Sequence, residues 1–447
     1  MRRKESERLK AGSLFKDLMP FGGRLDEENR WIVLSGKMPW EEIERIYEES
    51  HRKRTGRPGK DSRLITGLLI VKHTKRLSDR EVVKELHENP YVQYFCGYEQ
   101  LVTSKEIHAS TLSKARGRLG AAYFEKVEEE IIRLLVREKV IKKKELMVDA
   151  TVYPANVRYP TDTGLLEDAR QWLVKGIKEL VKMGVVRKTI RTYCRKARGV
   201  YVQFQRKRKK KVREIRRARK RMLQYVRRNL KQIRWVLRRV KPKDLYEVIR
   251  REEIKKGLKT IEKILEQQWE MYRKNLRSVK DRIVSLHKPN VRPIVRGKDG
   301  REVEFGPKSV VAYVDGYVFL DKQEFDAFHE GVALKESLDK HKERFGEEAE
   351  TFVGDKIYGT RENREMLKAR GIRGGLVPLG RRSEMTEKEE KWVRKKQRER
   401  NRIEGGIGTS KTRYGLSRLL SRLPDGEEIV TRLGLISMNL STMLARV

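Results

Sequence analysis

The chain has 447 residues, of which 107 are Lys or Arg and 64 are Asp or Glu, so its formal net charge is +43. An isolated molecule with this charge repels itself, and a nucleic acid is the natural polyanion to neutralise it. Two cysteines and seven scattered histidines argue against a disulfide framework and against zinc chemistry. The longest apolar runs are too short to span a membrane, so we expect no membrane partner and a cytoplasmic location.

Residues 1–140 are predicted to form a helical N-terminal domain that binds DNA. Leu64, Ile65 and the run Leu68–Val71 recur at helical spacing. Ser78 with Glu81 is typical of a capping box, in which the two side chains bond the first backbone amides of a helix. Basic loops alternate with these helices, and they either contact DNA or form an ordinary solvated surface.

Residues 141–163 change from helical to strand-forming sequence. Glu145–Val148 is a short apolar strand that delivers Asp149 at its end. A lone aspartate at a strand end is usually a turn or cap residue. Asp149 is therefore a candidate metal ligand only in combination with the motifs that follow. Asp162 is a rival acid, but it lies beyond Pro160 in what we expect to be an extended loop.

Residues 164–295 are predicted to be a basic helical insertion. Only one acidic residue, Glu214, lies between Leu180 and Lys243, yet two apolar stripes at three- and four-residue spacing run through the segment. The stripes predict a long antiparallel hairpin of helices that turns near Lys241-Pro242, with cationic faces that either contact DNA or are simply solvated. The first stripe is Val212, Ile215, Met222, Val226, Leu230, Ile233, Leu237 and Val240, and the second is Ile261, Leu265, Tyr272, Leu276, Val279, Ile283 and Leu286.

Residues 296–447 return to strand-forming sequence. Glu302–Phe305, Val310–Val314 and Tyr317–Leu320 are short apolar runs separated by glycine-containing turns, which predicts a meander. Asp315 is a second rival acid, and we discount it as a turn residue.

The remainder of the chain alternates helices with strand. A helix is expected over Asp326–Phe345, and Thr351–Val353 then leads into Asp355 as another strand end. A highly charged helix carries Glu404, and an apolar segment over Leu419–Leu444 closes the chain.

Asp149, Asp355 and Glu404 thus stand in settings suited to a divalent metal. Mg²⁺ prefers oxygen ligands and takes only one or two protein carboxylates before substrate phosphate completes its shell. Two ions about 3.5–4 Å apart can activate an attacking oxygen and stabilise a leaving oxygen at phosphorus. We expect Asp149 to bridge two Mg²⁺ ions, with Asp355 and Glu404 each completing one site, and we expect Mn²⁺ to substitute.

Cations near the third acid are candidates for DNA binding. Arg400 lies four residues before Glu404 and Lys411 lies seven after it, so on one helix all three fall on roughly the same face and the cations could clamp phosphate. Lys356, next to the second acid, is a further candidate. Glu399 is a rival to Glu404, but the spacing of Arg and Lys favours Glu404.

The order of these motifs resembles the DDE transposases of bacterial insertion sequences, whose catalytic core has a ribonuclease-H-like fold. The related families carry Tyr-x₂-Arg-x₃-Glu-x₆-Lys around the third acid; Arg400, Glu404 and Lys411 occupy the last three places, and Gln397 replaces the tyrosine. The resemblance extends over most of the chain, including Leu64–Val71, Leu77–Val83, Asn89–Gly97, Asp149–Asn156 and Tyr159–Thr163.

The resemblance implies a fold of the α/β class. It implies an all-α N-terminal domain (1–140) and a ribonuclease-H-like catalytic core (141–163 and 296–447) that the helical hairpin insertion (164–295) interrupts. It also implies double-stranded DNA as partner, both transposon ends and target, a homodimer in the synaptic complex, and a bacterial protein associated with the nucleoid.

The implied activity is DNA transposition. Water first cuts at the end of the element, and the 3′-hydroxyl so released then attacks target DNA, so one site serves two displacements at phosphorus. Two alternatives stay open: a metal-dependent, structure-selective nuclease built on the same core, and a catalytically silent DNA-binding derivative.

Overall fold

The computed structural model describes residues 20–23, 25–50, 59–186, 189–240, 251–298, 301–326, 328–378 and 385–447. The described residues fall into two compact units, one drawn from residues 1–156 and 306–447 and the other from residues 157–305. Helices and a mixed sheet are both present, which confirms the predicted α/β class.

The first unit begins with helices. Their local chemistry is as predicted at Ser78, whose hydroxyl accepts a bond from the Glu81 amide at 3.2 Å while the Glu81 carboxylate accepts one from the Ser78 amide at 2.7 Å. The longest helix breaks at Gly120, where φ is +72° and only glycine is unstrained. The helices are α1 (Arg30–Lys37), α2 (Trp40–Ser50), α3 (Ser62–Thr74), α4 (Asp79–Glu88), α5 (Pro90–Phe95) and α6 (Ala109–Arg137).

The described strands of the first unit form one mixed sheet in the order β5-β4-β1-β6-β7. β1 runs antiparallel to β4 and parallel to β6. The predicted first strand is too short, because β1 continues past Asp149 to Val152. The strands are β1 (Glu145–Val152), β4 (Lys308–Val314), β5 (Tyr317–Glu324), β6 (Thr351–Gly354) and β7 (Arg373–Gly374).

Helices cover this sheet and tie it to the N-terminal helices. The last helix is buried along most of its length and contacts α3, α6 and β5. The Asn439 amide group makes two bonds to the backbone of Val318 in β5, at 3.0 and 2.9 Å. The helices of this half are α11 (Leu334–Phe345), α12 (Arg361–Ala369), α13 (Glu387–Glu399), α14 (Asn401–Arg413) and α15 (Gly426–Leu444).

The predicted three-stranded meander is wrong. Of the three predicted strands, β4 and β5 do pair with each other, whereas β3 (Arg301–Phe305) pairs with β2 (Pro293–Lys298) in a separate hairpin of the second unit. Strand propensity indicated the right segments, but pairing partners depend on contacts between residues far apart in the chain.

The second unit contains more than a two-helix hairpin. Its helices α7 (Asp162–Lys182), α8 (Cys194–Arg206), α9 (Val212–Leu237) and α10 (Arg251–Arg273) share one apolar core. α9 packs closely on α7, since a Cβ at Gly176 would lie 3.0 Å from Ile233 Cδ1.

The second helix of the predicted hairpin is shorter than expected, and the predicted turn cannot be compared. The second stripe was expected to stay helical to Leu286, but α10 ends at Arg273 and Leu276, Val279, Ile283 and Leu286 lie outside helices. The turn expected near Lys241-Pro242 lies outside the described residues.

Candidate functional site

The pairing of β1 with β6 brings two predicted acids to one edge of the sheet. Val148 is the register partner of Gly354 in the parallel ladder, so Asp149 and Asp355 each follow directly on a paired residue. The Asp355 carboxylate caps a 3₁₀ turn, Lys356–Tyr358, by accepting a bond from the Lys356 amide at 2.6 Å. Asp149 and Asp355 therefore start from neighbouring backbone positions.

Arg400 joins the first acid to the third. Its Nη1 lies 3.7 Å from Asp149 Oδ2, and its Nη2 lies 3.2 Å from Glu404 Oε1. The Asp149 and Arg400 side chains are less than one-fifth exposed, whereas Glu404 is half exposed. The guanidinium thus lies between two carboxylates that are 255 residues apart in the chain.

The charged helix predicted to carry Glu404 is in fact a pair of helices. α13 ends at Glu399, α14 begins at Asn401, and Arg400 forms the junction with helical dihedral angles. Lys411, near the end of α14, donates to Thr151 Oγ1 at 2.9 Å. Because Thr151 and Asp149 are two residues apart in β1, their side chains share one face of the sheet, and α14 runs along that face.

Several charges act on Asp149. Burial raises its pKa above the ordinary value, and the negative charges of Glu330 and Asp355 raise the pKa further. The Ala150 amide and the Arg400 guanidinium oppose this by favouring the ionised form. The net result is a raised pKa, so the ionised form of Asp149 is less stable in the fold than it would be in water.

Glu330 was not singled out from the sequence, where it falls inside a predicted helix. In the structure that helix begins later, as α11, and Glu330 opens a separate 3₁₀ turn, Glu330–Ala333. Lys308 Nζ lies 2.9 Å from Glu330 Oε1. No motif marks this glutamate, because its proximity to Asp149 arises only when the chain folds.

The turn that carries Glu330 is locked to the turn that follows Asp355. The buried Asn363 amide donates to Gly331 O at 2.9 Å and to Tyr358 O at 3.0 Å. A Cβ at Gly331 would lie 2.7 Å from Ile357 O, so glycine permits this close approach. The two turns therefore hold Glu330 and Asp355 in fixed relation.

Tyr358 is a second residue that the sequence did not single out. Its ring is fully buried, and its hydroxyl has no hydrogen-bond partner among the described residues. Burial raises its pKa well above the ordinary value, and the charges of Glu330 and Asp149 raise the pKa further. A buried hydroxyl without a partner is uncommon and calls for an explanation.

Gln397 stands where the related families have tyrosine. Its Nε2 donates to Gly354 O at 3.1 Å and to Gly375 O at 2.5 Å. These bonds tie α13 to the end of β6, directly before Asp355. A tyrosine hydroxyl has a single proton to donate, so glutamine can bond two carbonyl groups that tyrosine could not bond together.

The rival acids are placed elsewhere. Asp315 lies in the β4–β5 turn and accepts a bond from the Lys142 amide at 2.9 Å. Asp162 was expected in an extended loop, but it is the first residue of α7 and pairs with Arg219 and with Arg282. The Lys396 ammonium holds the pKa of Glu399 below its ordinary value, with the two groups 2.8 Å apart.

The three predicted acids provide the oxygen donors that a hard divalent cation prefers. Asp149, Asp355 and Glu404 offer only carboxylate oxygens, and a bound cation would oppose the effect by which Glu330 and Asp355 raise the pKa of Asp149. Among the described residues, however, no group of three His, Cys, Asp or Glu side chains is arranged to hold a metal ion. Arg400 separates two of the acids instead. Lys356, the other predicted phosphate contact, is exposed.

Comparison with known proteins gives matches in two segments. Residues 20–118 match a family described as Transposase domain (DUF772), and residues 352–441 match a family described as Transposase DDE domain. The second segment contains Asp355 and Glu404, whereas Asp149 lies outside both segments.

One relative among the curated proteins is similar to part of this chain. A protein of Rhizobium meliloti described as "Uncharacterized protein ORF8 in nfe locus" is 34% identical over 151 residues, which cover 33% of this chain and 72% of that protein. No solved structure matches the chain significantly. Within the part of the chain that the structure describes, no helix is both long and apolar enough to cross a bilayer.

Proposed function

Since the chain belongs to the DDE transposases of bacterial insertion sequences, we propose that it binds the terminal inverted repeats of its own element, cuts there, and joins the 3′-hydroxyl ends to target DNA. The observation that carries this proposal is the cluster formed by Asp149, Arg400 and Glu404, with Asp355 directly after the adjacent strand β6. We further propose a ribonuclease-H-like core, interrupted by residues 157–305, as the scaffold of this site.

Asp149, Asp355 and Glu404 are the residues that would hold Mg²⁺. A bound pair of ions supplies activation of the attacking oxygen and stabilisation of the leaving oxygen. The protein supplies orientation: the β1–β6 register aligns the two aspartates, and the two bonds of Gln397 hold the end of β6 against α13. A rigid backbone at both aspartates favours one geometry for both displacements.

Arg400 and Lys411 are proposed to bind the reacting phosphate. A guanidinium can donate two parallel bonds to a phosphate, and Arg400 already lies at the acids. Lys411 extends the positive charge along the same face of β1, and the exposed Lys356 adds a cation beside Asp355. The dimer that bridges two DNA ends is part of this proposal.

The test compares isosteric variants of the acids with a matched control. We expect the rate of cleavage at an element end to fall by more than about a hundredfold in each of three variants: Asp149→Asn, Asp355→Asn and Glu404→Gln. Loss of one group that stabilises the transition state typically lowers a rate by this factor. Binding of the same DNA should persist, because the phosphate-binding cations remain. The control variant Glu399→Gln, at the end of α13, should cut and join normally.

The products decide between related activities. DNA joined to target through the cut 3′ end supports transposition, whereas hydrolysis without joining would identify a nuclease, and binding without cleavage would identify a silent derivative. An acid variant that retains normal Mg²⁺-dependent cleavage would remove that residue from the site.

A further inference from the structure

The outward face of α9 carries a straight row of cations. Arg213, Arg217, Lys220, Arg227 and Lys231 are all exposed, and they recur at intervals of three, four and seven residues, which returns each to nearly the same side of the helix. At 1.5 Å per residue the row is about 27 Å long. We call these five side chains the α9 ridge.

The charges of the ridge have no ionic partner among the described residues. None of the five side chains forms an ion pair or hydrogen bond with another described residue, whereas cations at the flanks of the same helix do. Arg219 pairs with Asp162, and Arg234 pairs with Glu262. The flanking cations help to hold the unit together, and the ridge is left facing solvent.

The ridge is also unfavourable for the helix itself. Arg213 and Arg217, like Arg227 and Lys231, are like charges four residues apart, and such pairs repel. The apolar face of α9 needs no help from these cations, because Met222, Val226 and Ile233 are fully buried in the core of the unit. A partner with negative charge would relieve the repulsion.

We propose that the α9 ridge is a DNA-binding surface that grips the phosphate backbone of duplex DNA without reading its sequence. The proposal rests on DNA as the substrate of the proposed function and adds a contact outside the acid cluster. A duplex presents one phosphate charge per about 1.7 Å of its axis, so a straight row of this length faces more phosphates than it has cations.

A membrane surface is the less suitable partner. A helix that lies on a bilayer inserts its apolar face among the lipids. The apolar face of α9 is instead packed against α7 and is not available for insertion. What α9 offers is a narrow polar row, which suits the backbone of a nucleic acid.

The experiment measures binding of the full-length protein to a duplex of arbitrary sequence, without Mg²⁺, over a range of salt concentrations. Glutamine is a suitable replacement because its helix propensity is close to that of Lys and Arg. The ridge variant combines Arg217→Gln, Lys220→Gln, Arg227→Gln and Lys231→Gln. The matched control combines Lys255→Gln, Lys256→Gln, Lys259→Gln and Lys263→Gln, which are exposed on α10 and remove the same charge.

The ridge variant should bind at least tenfold more weakly, and its slope of log affinity against log salt should be flatter by about 3 to 4, because each phosphate contact contributes about 0.9. The control should retain the wild-type slope. Circular dichroism verifies that both variants are folded. If the fourfold variant does not fold, Lys220→Gln and Arg227→Gln singly should each flatten the slope by about 0.9.

Equal slope changes in both fourfold variants would overturn the inference, because net charge alone would then explain binding. So would an unchanged slope in the ridge variant, or loss of binding to phosphatidylserine vesicles with DNA binding intact. The proposed reaction and the ridge can fail independently. If the wild-type protein binds DNA through the α9 ridge but never cuts an element end, only the proposed reaction is refuted. If the ridge variant joins DNA normally and its salt slope is unchanged, only the DNA-binding role of the ridge is refuted.

Discussion

Arg400 and Tyr358 show how single residues shape the candidate site. Arg400 lies between Asp149 and Glu404 and faces both carboxylates, which a planar guanidinium with donors on several edges can do. Tyr358 does the opposite, because it places an unpaired hydroxyl near acids and gains no bond from it among the described residues. A buried hydroxyl without a partner lowers stability, and we propose that it has a role in the complex with DNA.

Replacing Tyr358 with phenylalanine should therefore stabilise the protein and slow the reaction. The substitution removes only the unpaired hydroxyl, which should raise the free energy of unfolding by about 1 kcal/mol. We expect the cleavage rate to fall, because we propose that the hydroxyl donates to a carboxylate of the site once DNA is bound. Urea unfolding and a cleavage assay on the same preparation measure the two effects.

Tyr317→Phe is the control for this prediction. Tyr317 is also fully buried, but it begins β5, pairs with Val314 at the end of β4 and lies beneath the Arg446 guanidinium. Its variant should cut at the wild-type rate. If Tyr358→Phe cuts as fast as wild type, the hydroxyl has no part in the reaction.

At the scale of elements, α3 is the helix that joins the N-terminal half to the site-bearing half of the first unit. Its residues are buried on nearly every side, and the Ser437 hydroxyl of α15 donates to Ile70 O at 3.2 Å. Near its end, the Nδ1–H of His73 donates to Tyr414 O at 3.1 Å. Tyr414 directly follows α14, so this bond links α3 to the helix that carries Glu404.

His73 should make this junction sensitive to acid. Burial lowers its pKa to about 3, and the charges of Lys72 and Arg116 lower it as well, while the Tyr414 carbonyl and Asp79 oppose the shift. The unfolded chain, with an ordinary pKa near 6.5, takes up a proton on His73 before the folded chain does. The stability that His73 provides is therefore complete above about pH 6.5 and is lost progressively between about pH 6.5 and pH 3.

The expected loss from this one group is about 2 kcal/mol between pH 7 and pH 5. His73→Gln keeps an amide donor for Tyr414 but cannot titrate, so its free energy of unfolding should fall less over the same range. Urea unfolding of both proteins at the two pH values measures the difference. An identical pH dependence in the two proteins would assign the acid sensitivity to other groups.

At the scale of the whole molecule, the net charge of +43 causes strong electrostatic self-repulsion. Ion pairs within the fold relieve some of the repulsion, such as the buried pair of Arg432 and Glu128 between α15 and α6. They cannot cancel an excess of 43 cations. A protein with this charge is stabilised by anything that screens or binds positive charge.

Thermal stability should accordingly rise with salt. Raising the ionic strength from about 0.01 M to about 0.1 M shortens the Debye length from about 30 Å to about 10 Å and weakens the self-repulsion. We expect Tm, followed by calorimetry, to increase over this range, and a DNA duplex at low salt to increase it further. A Tm that falls with salt would mean that attractive ion pairs outweigh the repulsion.

The sequence by itself determined the features that depend on neighbouring residues. The capping box at Ser78, the apolar face of α9 and strand formation before Asp149 follow from bonds and packing within a few positions. The motif around Glu404 was recognisable for the same reason, because its parts are close together in the chain. The family was therefore accessible from the sequence, and the metal ligands Asp149, Asp355 and Glu404 remain a prediction.

The tertiary structure alone decided which distant segments meet. It paired β3 with β2 and not with β4, ended α10 at Arg273, and brought Glu330 and Tyr358 to Asp149. The physical reason is that strand pairing and the gathering of charges depend on long-range contacts, whose energies do not appear in local propensity. The position of Arg400 between Asp149 and Glu404 belongs to the same class, because a sequence can place two acids in order but only a fold can place a cation between them.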